Sequence, residues 1–288
     1  MSRRCEPLRE TPSRIVLDHE LNQVRLLLQE YAGVLIDCPT EVLGVVVEEV
    51  LISHGFRSAA ELIARMHASP VDCQLLLESV VPGDTAFFRP AGLFTIFQNE
   101  VLADMARRND DETLRPLRIF SAGCSTGEEA YSIAMSVCEA FASKQGSWKV
   151  HIVAGDIRRD ALKFAERGLY PAGAVLHLPD HLVASYFSRI GDHLLVKPRL
   201  RDLVTFTPMN LTENTFIGRF QCIFCVDVLP QLSAAGKAAA WQRLQLALEP
   251  GGYIYLGEHE QLPGGSSLLR HSAGVYQRPL AAGAGAGK

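Results

Sequence analysis

The sequence lacks most of the features that would assign it to a class at a glance. No apolar run reaches the length of a membrane span, and the charged start MSRRCEPLRE has no hydrophobic region behind it. Membrane insertion is therefore not expected, and the cytoplasm is the expected location. Positive charge is not in excess. The formal net charge is −4, which argues against a general nucleic-acid surface. The seven cysteines are an odd number without framework spacing, as suits reduced thiols. Cys222 and Cys225 form a C-x-x-C, but their setting, FQCIFCVDVL, reads as a buried strand. Residues three apart on a strand point to opposite faces and cannot converge on a metal. No internal repeat is apparent, and no Ser-His or Cys-His constellation stands out.

What is present is an ordinary globular composition, 48% hydrophobic over 288 residues, ample for a buried core. Residues 1–14, with two prolines and dense charge, read as a flexible lead-in. Residues 15–80 read as a helical N-terminal domain. Val24, Leu27, Leu28 and Tyr31 recur at helical spacing, and so, less cleanly, do Val42, Val46 and Val50. Ser58 with Glu61 predicts a capping box for a helix through Met66. In GDTAFFRPAGLFTIF, Asp84-Thr85 is expected to cap the segment that follows, with Phe87, Phe88, Phe94 and Phe97 on a core face. From Arg118 strands and helices alternate. Strands are predicted at Arg118–Ser121, Val150–Ala154, Leu203–Thr207, Cys222–Val226 and Tyr253–Leu256. Helices are predicted at Gly127–Ser143, Asp160–Arg167 and Ser233–Leu248, the last closed by Pro250-Gly251-Gly252. The alternation breaks at about 171–200, which reads as an inserted lobe, and the Gly/Ala tail 279–288 reads as disordered.

The stretch LRIFSAGCSTGEEAYSIAM, Leu117–Met135, organises the rest. A strand, a glycine turn and a helix in that order build a ligand crevice at the carboxyl edge of a parallel sheet. Gly123 and Gly127 let backbone approach a ligand closely. Glu128 and Glu129 suit a helix N-terminus, and where a phosphate loop would place lysine this turn places acid. A hydroxyl-bearing nucleoside fits better than a phosphate. Asp156 ends the next strand, where an acid meets ribose hydroxyls, or alternatively caps the helix beginning near Arg159. Asn210 and Asp227 follow the next two strands, so polar residues at consecutive strand tips outline one pocket.

These motifs resemble the CheR-type methyltransferases, the chemotaxis-receptor protein-glutamate O-methyltransferases. SAGCSTGEEAYSIAM is similar to the family signature, DTAFFRP to its aromatic-arginine segment, and VTFTPMNL to its Asn-Leu segment. The likeness runs in collinear order over roughly residues 20–278. It implies an α/β fold: a Rossmann-like S-adenosylmethionine-dependent methyltransferase sheet with a small inserted β-lobe, preceded by an all-α N-terminal domain. The methyltransferase domain would occupy 81–278. The resemblance implies that Thr85, Arg89, Gly123, Glu128, Asp156, Asn210, Leu211, Asp227 and Val228 line the cofactor pocket. Arg89 would stand at the methyl-transfer site, unless it is a surface arginine paired with a carboxylate. The cofactor would be S-adenosyl-L-methionine, with S-adenosyl-L-homocysteine as product. The partner would be a chemoreceptor-like or other signalling protein whose glutamate accepts the methyl group.

Such chemistry needs no general base, since a glutamate with a pKa of about 4.3 is already ionised at neutral pH. Four positions depart from the family: Gly83 replaces an asparagine, Val226-Asp227 an Arg-Asn pair, and Gln231 a tyrosine. The N-terminal domain departs too. The family carries a basic face there, whereas residues 1–75 hold seven arginines against eleven acids, a formal −4. Two further readings therefore stay open: a catalytically weakened cofactor-binding regulatory module, and a methyltransferase with a different acceptor.

Overall fold

The computed structural model describes residues 16–81, 83–107, 115–142, 148–213, 218–258 and 260–280. The expected lead-in and most of the expected tail lie outside the described residues. Two compact units emerge. One comprises the chain up to Tyr31 with Ile36–Val81, and the other Ala32–Leu35 with everything from residue 82 onward.

The first unit is helical, with α1 (Asp18–Ala32), α2 (Thr40–Ser53), α3 (Ala59–Ala68) and α4 (Pro70–Val80). Ser58 caps α3 by accepting the Glu61 amide at 3.2 Å. Glu61 does not return to Ser58 but accepts the Arg57 amide at 2.8 Å, so only half of the expected box forms. Ser69 caps α4, with Pro70 at a position whose N–H would be unused anyway. Val24, Leu28, Leu43, Val47, Leu51, Leu62, Met66 and Leu76 form the core. Helix α2 corrects the sequence reading. Val50 is buried and Val46 half-buried, but Val42 is 50% exposed, and Leu43 and Val47 turn inward. A run this rich in valine offers an apolar face in either direction, and packing against neighbouring helices chooses between them.

The second unit begins with α5 (Ala91–Ile96), which continues through a π-helical stretch, Phe97–Leu102, into α6 (Ala103–Arg107). Asp84 and Thr85 do not cap it: the helix starts after Pro90 without a side-chain cap, and Asp84 pairs with Arg89 instead. The alternation then runs β1 (Arg115–Ala122), α7 (Glu128–Ala140), β2 (Trp148–Asp156) and α8 (Arg159–Arg167). A small antiparallel sheet interrupts it, made of β3 (Leu169–Pro171), β4 (Phe187–Ile190) and β5 (His193–Val196) in the order β3-β5-β4, with α9 (Asp180–Tyr186) within it. After α10 (Pro198–Arg201) come β6 (Val204–Pro208), β7 (Phe220–Cys225), α11 (Ala234–Ala247), β8 (Leu248–Leu256), β9 (Leu269–Ser272) and β10 (Val275–Gln277).

The main sheet has the order β6-β2-β1-β7-β8-β10-β9. Its first five strands are parallel and the last two antiparallel. One boundary differs from expectation. Helix α11 stops at Ala247, and Pro250-Gly251-Gly252 lies inside β8 instead of closing the helix. Gly251, at φ +78°, takes a bulge where the β7–β8 register slips between Phe220 and Cys222.

Aromatic rings fill the centre. Phe224 stacks on Tyr255 at 4.1 Å between centroids and meets Phe97 edge-on at 5.1 Å, with Phe94 at 5.7 Å. Phe87 packs edge-on against Tyr170 and Phe187 at 5.0 and 5.6 Å. The aromatic-rich segment before α5 is thereby rooted in the sheet's core, which fixes its path beside the carboxyl ends of the strands. Phe224→Ala would empty the middle of this cluster. It should cost roughly 3–5 kcal/mol of stability, read as a lowered urea midpoint with an unchanged slope.

Candidate functional site

Strand β1 is the switch point of the sheet, with β2 and β6 building outward on one side and β7 and β8 on the other. The crevice for a ligand in such a sheet opens at the carboxyl ends of the strands beside that point. The turn after β1 shapes its floor. Amides of Gly123 and Cys124 both donate to Gly155 O, at 2.8 and 3.0 Å, tying the turn to the end of β2. Gly123 sits at φ +75°, and a Cβ there would collide with Val228. Gly127 sits at φ +95°, and a Cβ there would lie 2.7 Å from Ala165 Cβ and 3.0 Å from Tyr170 Oη. Space and backbone conformation both require glycine at each position. Ser125, between them, is held at φ +49°, a strained setting for a residue with a side chain.

That strain places the Ser125 amide 2.7 Å from Asp156 Oδ2. The other oxygen, Oδ1, accepts the Arg158 amide at 2.8 Å. Asp156 does not take the capping role for α8, whose cap position is Arg158 itself. Its carboxylate is buried at the tip of β2. Burial pushes its pKa up, while the two amides and the Arg158 charge pull it down. Each oxygen keeps a further lone pair, so the group remains able to accept from hydroxyls.

Two more acids open α7, where the helix N-terminus favours negative charge. Glu128 Oε2 accepts from Thr126 Oγ1 at 2.6 Å, and burial raises its pKa against that bond. Glu129 Oε1 accepts from Ser121 Oγ at 2.6 Å, and burial lifts its pKa from 4.5 to about 7.

The segment Gly83–Arg89 is sewn to the glycine turn and α7 at two points. Ser125 Oγ donates to Gly83 O at 2.9 Å, and the Phe88 amide donates to Ser132 Oγ at 2.9 Å. Thr85 is half-buried on this segment. Arg89 Nη1 pairs with Asp84 Oδ2 at 2.8 Å, both side chains substantially exposed. On the far side of the sheet edge, Asn210 Oδ1 accepts from the Thr212 amide at 2.9 Å and from Thr212 Oγ1 at 2.8 Å, so its side chain serves its own loop. Leu211 is buried, and its carbonyl accepts from Arg243 Nη1 at 2.8 Å. Asp227 sits exposed at φ +58°. Its amide and that of Gly257 both donate to Glu260 Oε1, at 2.7 and 2.9 Å. Gln231 Nε2 donates to Asp227 O at 2.7 Å.

Direct bonds and contacts thus join Gly123 with Val228, and the glycine turn with both Asp156 and the Gly83 segment. Arg89 and Asn210 each bond within their own loop region, whereas the Asp227 amide reaches Glu260 in the loop after β8. Three residues of this site carried no role in the sequence reading: Ser125, Arg158 and Glu260. Ser125 lies within the turn motif and was legible as a neighbour of it. Arg158 and Glu260 matter only through contacts with chain distant in sequence. Among the described residues no cluster of acids, histidines and cysteines is placed to hold a metal ion, and no helix is long and apolar enough to cross a membrane. Cys222 and Cys225 are both buried, and burial pushes both thiols well above their usual pKa.

A parallel sheet with a glycine turn that excludes side chains, and buried acceptor carboxylates in place of phosphate-binding lysine, suits a nucleoside bearing free hydroxyls. S-adenosylmethionine is such a nucleoside, and a Rossmann-like methyltransferase is one class of protein that such a site fits. Residues 83–276 match the family model described as CheR methyltransferase, SAM binding domain. The chain belongs to that family, and S-adenosylmethionine is its cofactor. It is 30% identical over 253 residues to the chemotaxis protein methyltransferase Cher2 of Pseudomonas putida, covering 85% of this chain and 91% of that protein. It is 35% identical over 219 residues to chemotaxis protein methyltransferase 2 of Pseudomonas aeruginosa, covering 74% and 75%. A chemotaxis protein methyltransferase of Borreliella burgdorferi is 30% identical over 229 residues, covering 78% and 81%.

The buried acid Glu129 makes the site's electrostatics measurable. Its folded pKa is raised, so the folded protein holds this proton more tightly than the unfolded chain does. Its stabilising contribution is full below pH 4.5 and is lost as pH rises through about 7. Glu129→Gln keeps an acceptor for Ser121 and removes the ionisation. Thermal melts should therefore show the wild type losing more stability than the variant between about pH 5 and pH 8, by up to roughly 3 kcal/mol. Parallel pH profiles would mean that Glu129 is not held as a raised-pKa acid.

Proposed function

We propose that the protein methylates glutamate side-chain carboxylates of a chemoreceptor or related signalling protein. The observation that carries this reading is Arg89. It stands on a segment rooted by Phe87 in the core and bonded to the glycine turn through Ser125, and its guanidinium already holds a carboxylate, that of Asp84, at 2.8 Å. An acceptor glutamate replacing Asp84 would accept the same hydrogen bond, and the planar guanidinium can offer a second beside it. Asp84 is largely exposed, so releasing it costs little.

The residues proposed to hold the cofactor are Asp156 on the ribose hydroxyls, the backbone around Gly123, and Glu128, with Thr85, Asn210, Leu211, Asp227 and Val228 as the remaining lining. S-adenosylmethionine, when bound, supplies a methyl group on a positively charged sulfur. The chain's own contribution is alignment of the acceptor oxygen and exclusion of water, for which no general base is required. The buried Asp156 carboxylate at the tip of β2 favours a cationic ligand electrostatically.

The acceptor is proposed to meet the N-terminal unit through a surface that is not acidic. Residues 16–81 carry ten acids against three arginines, a formal −7. Arg57 and Arg65 are engaged by Glu61 and Asp72, and Arg25 by the carbonyls of Ile36 and Cys38. An acidic docking region would be repelled there. A second reading, a catalytically weakened regulatory module, draws support from Asp227 and Gln231. Both stand at positions that differ from the family, and the Gln231 side chain is committed to holding the loop after β7 through the Asp227 carbonyl.

Transfer of labelled methyl from the cofactor to candidate receptors separates the two. The expected result is base-labile label on the receptor, reduced at least about tenfold in Arg89→Ala with cofactor affinity retained. Cofactor binding without label on any receptor tested would leave the regulatory reading in place.

A further inference from the structure

We infer that Arg158 is a positioning residue of the cofactor pocket, holding the Gly83 segment against the glycine turn beside Asp156, in space that exists only because residue 83 has no side chain. The inference rests on Asp156 being the ribose ligand.

The geometry is specific. Arg158 Nη2 donates to Ser125 Oγ at 2.7 Å, and Ser125 Oγ donates onward to Gly83 O at 2.9 Å. Arg158 Nε lies 3.8 Å from Asp156 Oδ1, with the two side chains only 11% and 9% exposed. One guanidinium therefore links the tip of β2, the strained serine of the turn, and the start of the segment that carries Thr85 and Arg89. A Cβ on Gly83 would fall within that guanidinium, meeting Cζ at 2.5 Å and both terminal nitrogens more closely still. Gly83 has no left-handed backbone requirement, so glycine is needed there for room alone. What stands in the way is the far end of a long side chain, so any side chain at 83 displaces Arg158 without unfolding the protein. Arg158 occupies the volume that a side chain at residue 83 would need.

Two consequences follow for the pocket. Without Arg158, Ser125 loses the donor that fixes its hydroxyl toward Gly83, and the segment loosens. Asp156 also loses the positive charge that opposes its desolvation, while Asp160 and the Cys124 thiol, the other titratable groups it interacts with, remain. Its pKa then rises, and binding that needs the ionised carboxylate fails at a higher pH than in the wild type.

Calorimetric titration with S-adenosylhomocysteine tests this on the full chain. Arg158→Gln and Gly83→Ala should each weaken binding roughly tenfold. The double variant should be no weaker than either single one, because both changes remove the same guanidinium. Arg158→Lys should recover part of the affinity. In Arg158→Gln the acidic limb of the affinity–pH profile should move to higher pH with the melting temperature nearly unchanged. Unaltered affinity in Arg158→Gln, or additive losses in the double variant, would overturn the inference. Asp156→Ala distinguishes the two levels. If it abolishes binding while Arg158→Gln is silent, only the role of Arg158 fails. If it leaves binding intact, the reading of the pocket fails with it.

Discussion

The bond between the Ser125 amide and the Asp156 carboxylate is the constraint on which the site depends. To make it, the chain accepts a left-handed backbone at a residue with a side chain, and brackets that residue with glycines that no other side chain could replace. The bond holds a carboxylate at the tip of β2 in a setting dry enough to resist its charge and polar enough to keep it usable. It also aims the Ser125 hydroxyl at Gly83, so the order of the turn passes to the segment that carries Arg89. Removing the turn's geometry would affect both halves of the pocket together.

The sheet supplies the rigidity that this strain needs. β1 and β2 pair in register along the whole of β1, and the turn begins where that pairing ends. Beneath it, Phe94, Phe97, Phe224 and Tyr255 interlock ring on ring. A packed aromatic core tolerates little displacement, so a strained residue at its edge stays strained instead of relaxing. Glu128 and Glu129 extend the same logic into α7. Each is buried at a helix N-terminus with one hydroxyl partner, and burial raises the pKa of both against that bond.

The two edges of the site differ in character. On the β2 side, Asp156, Ser125, Arg158 and Gly83 form one continuous hydrogen-bonded group. On the β7 side, Asp227, Gln231, Gly257 and Glu260 form another, whose bonds run largely to backbone amides and hold the loops after β7 and β8. The first group is arranged around a carboxylate that keeps accepting capacity. In the second, one oxygen of Glu260 holds two backbone amides while its other oxygen is buried without a hydrogen-bond partner. In the first, the space left by the missing side chain of Gly83 is filled by Arg158.

Much of this was legible in the sequence, and for identifiable reasons. The strand–glycine–helix order at Leu117–Met135 is local, so spacing alone predicted a crevice and the signature pointed to the family. The five parallel strands were legible because buried strands read as short apolar runs between turn residues. Periodicity was less informative at α2, where valines on every side left the buried face undetermined until neighbouring helices selected Leu43 and Val47. Pro250-Gly251-Gly252 misled because the same residues serve a helix stop and a strand bulge, and only the register with β7 distinguishes them. Asp84 was read as a cap because its partner, Arg89, is chosen by the fold of the segment. Arg158 could not have been singled out at all. Its role depends on a missing side chain far away in sequence, and a vacancy acquires a neighbour only when the chain is folded. The sequence by itself thus determined the class of ligand, through which residue types sit at strand tips. Tertiary structure decided which of those side chains remain available to it, because hydrogen-bond partners are assigned by proximity and not by order along the chain.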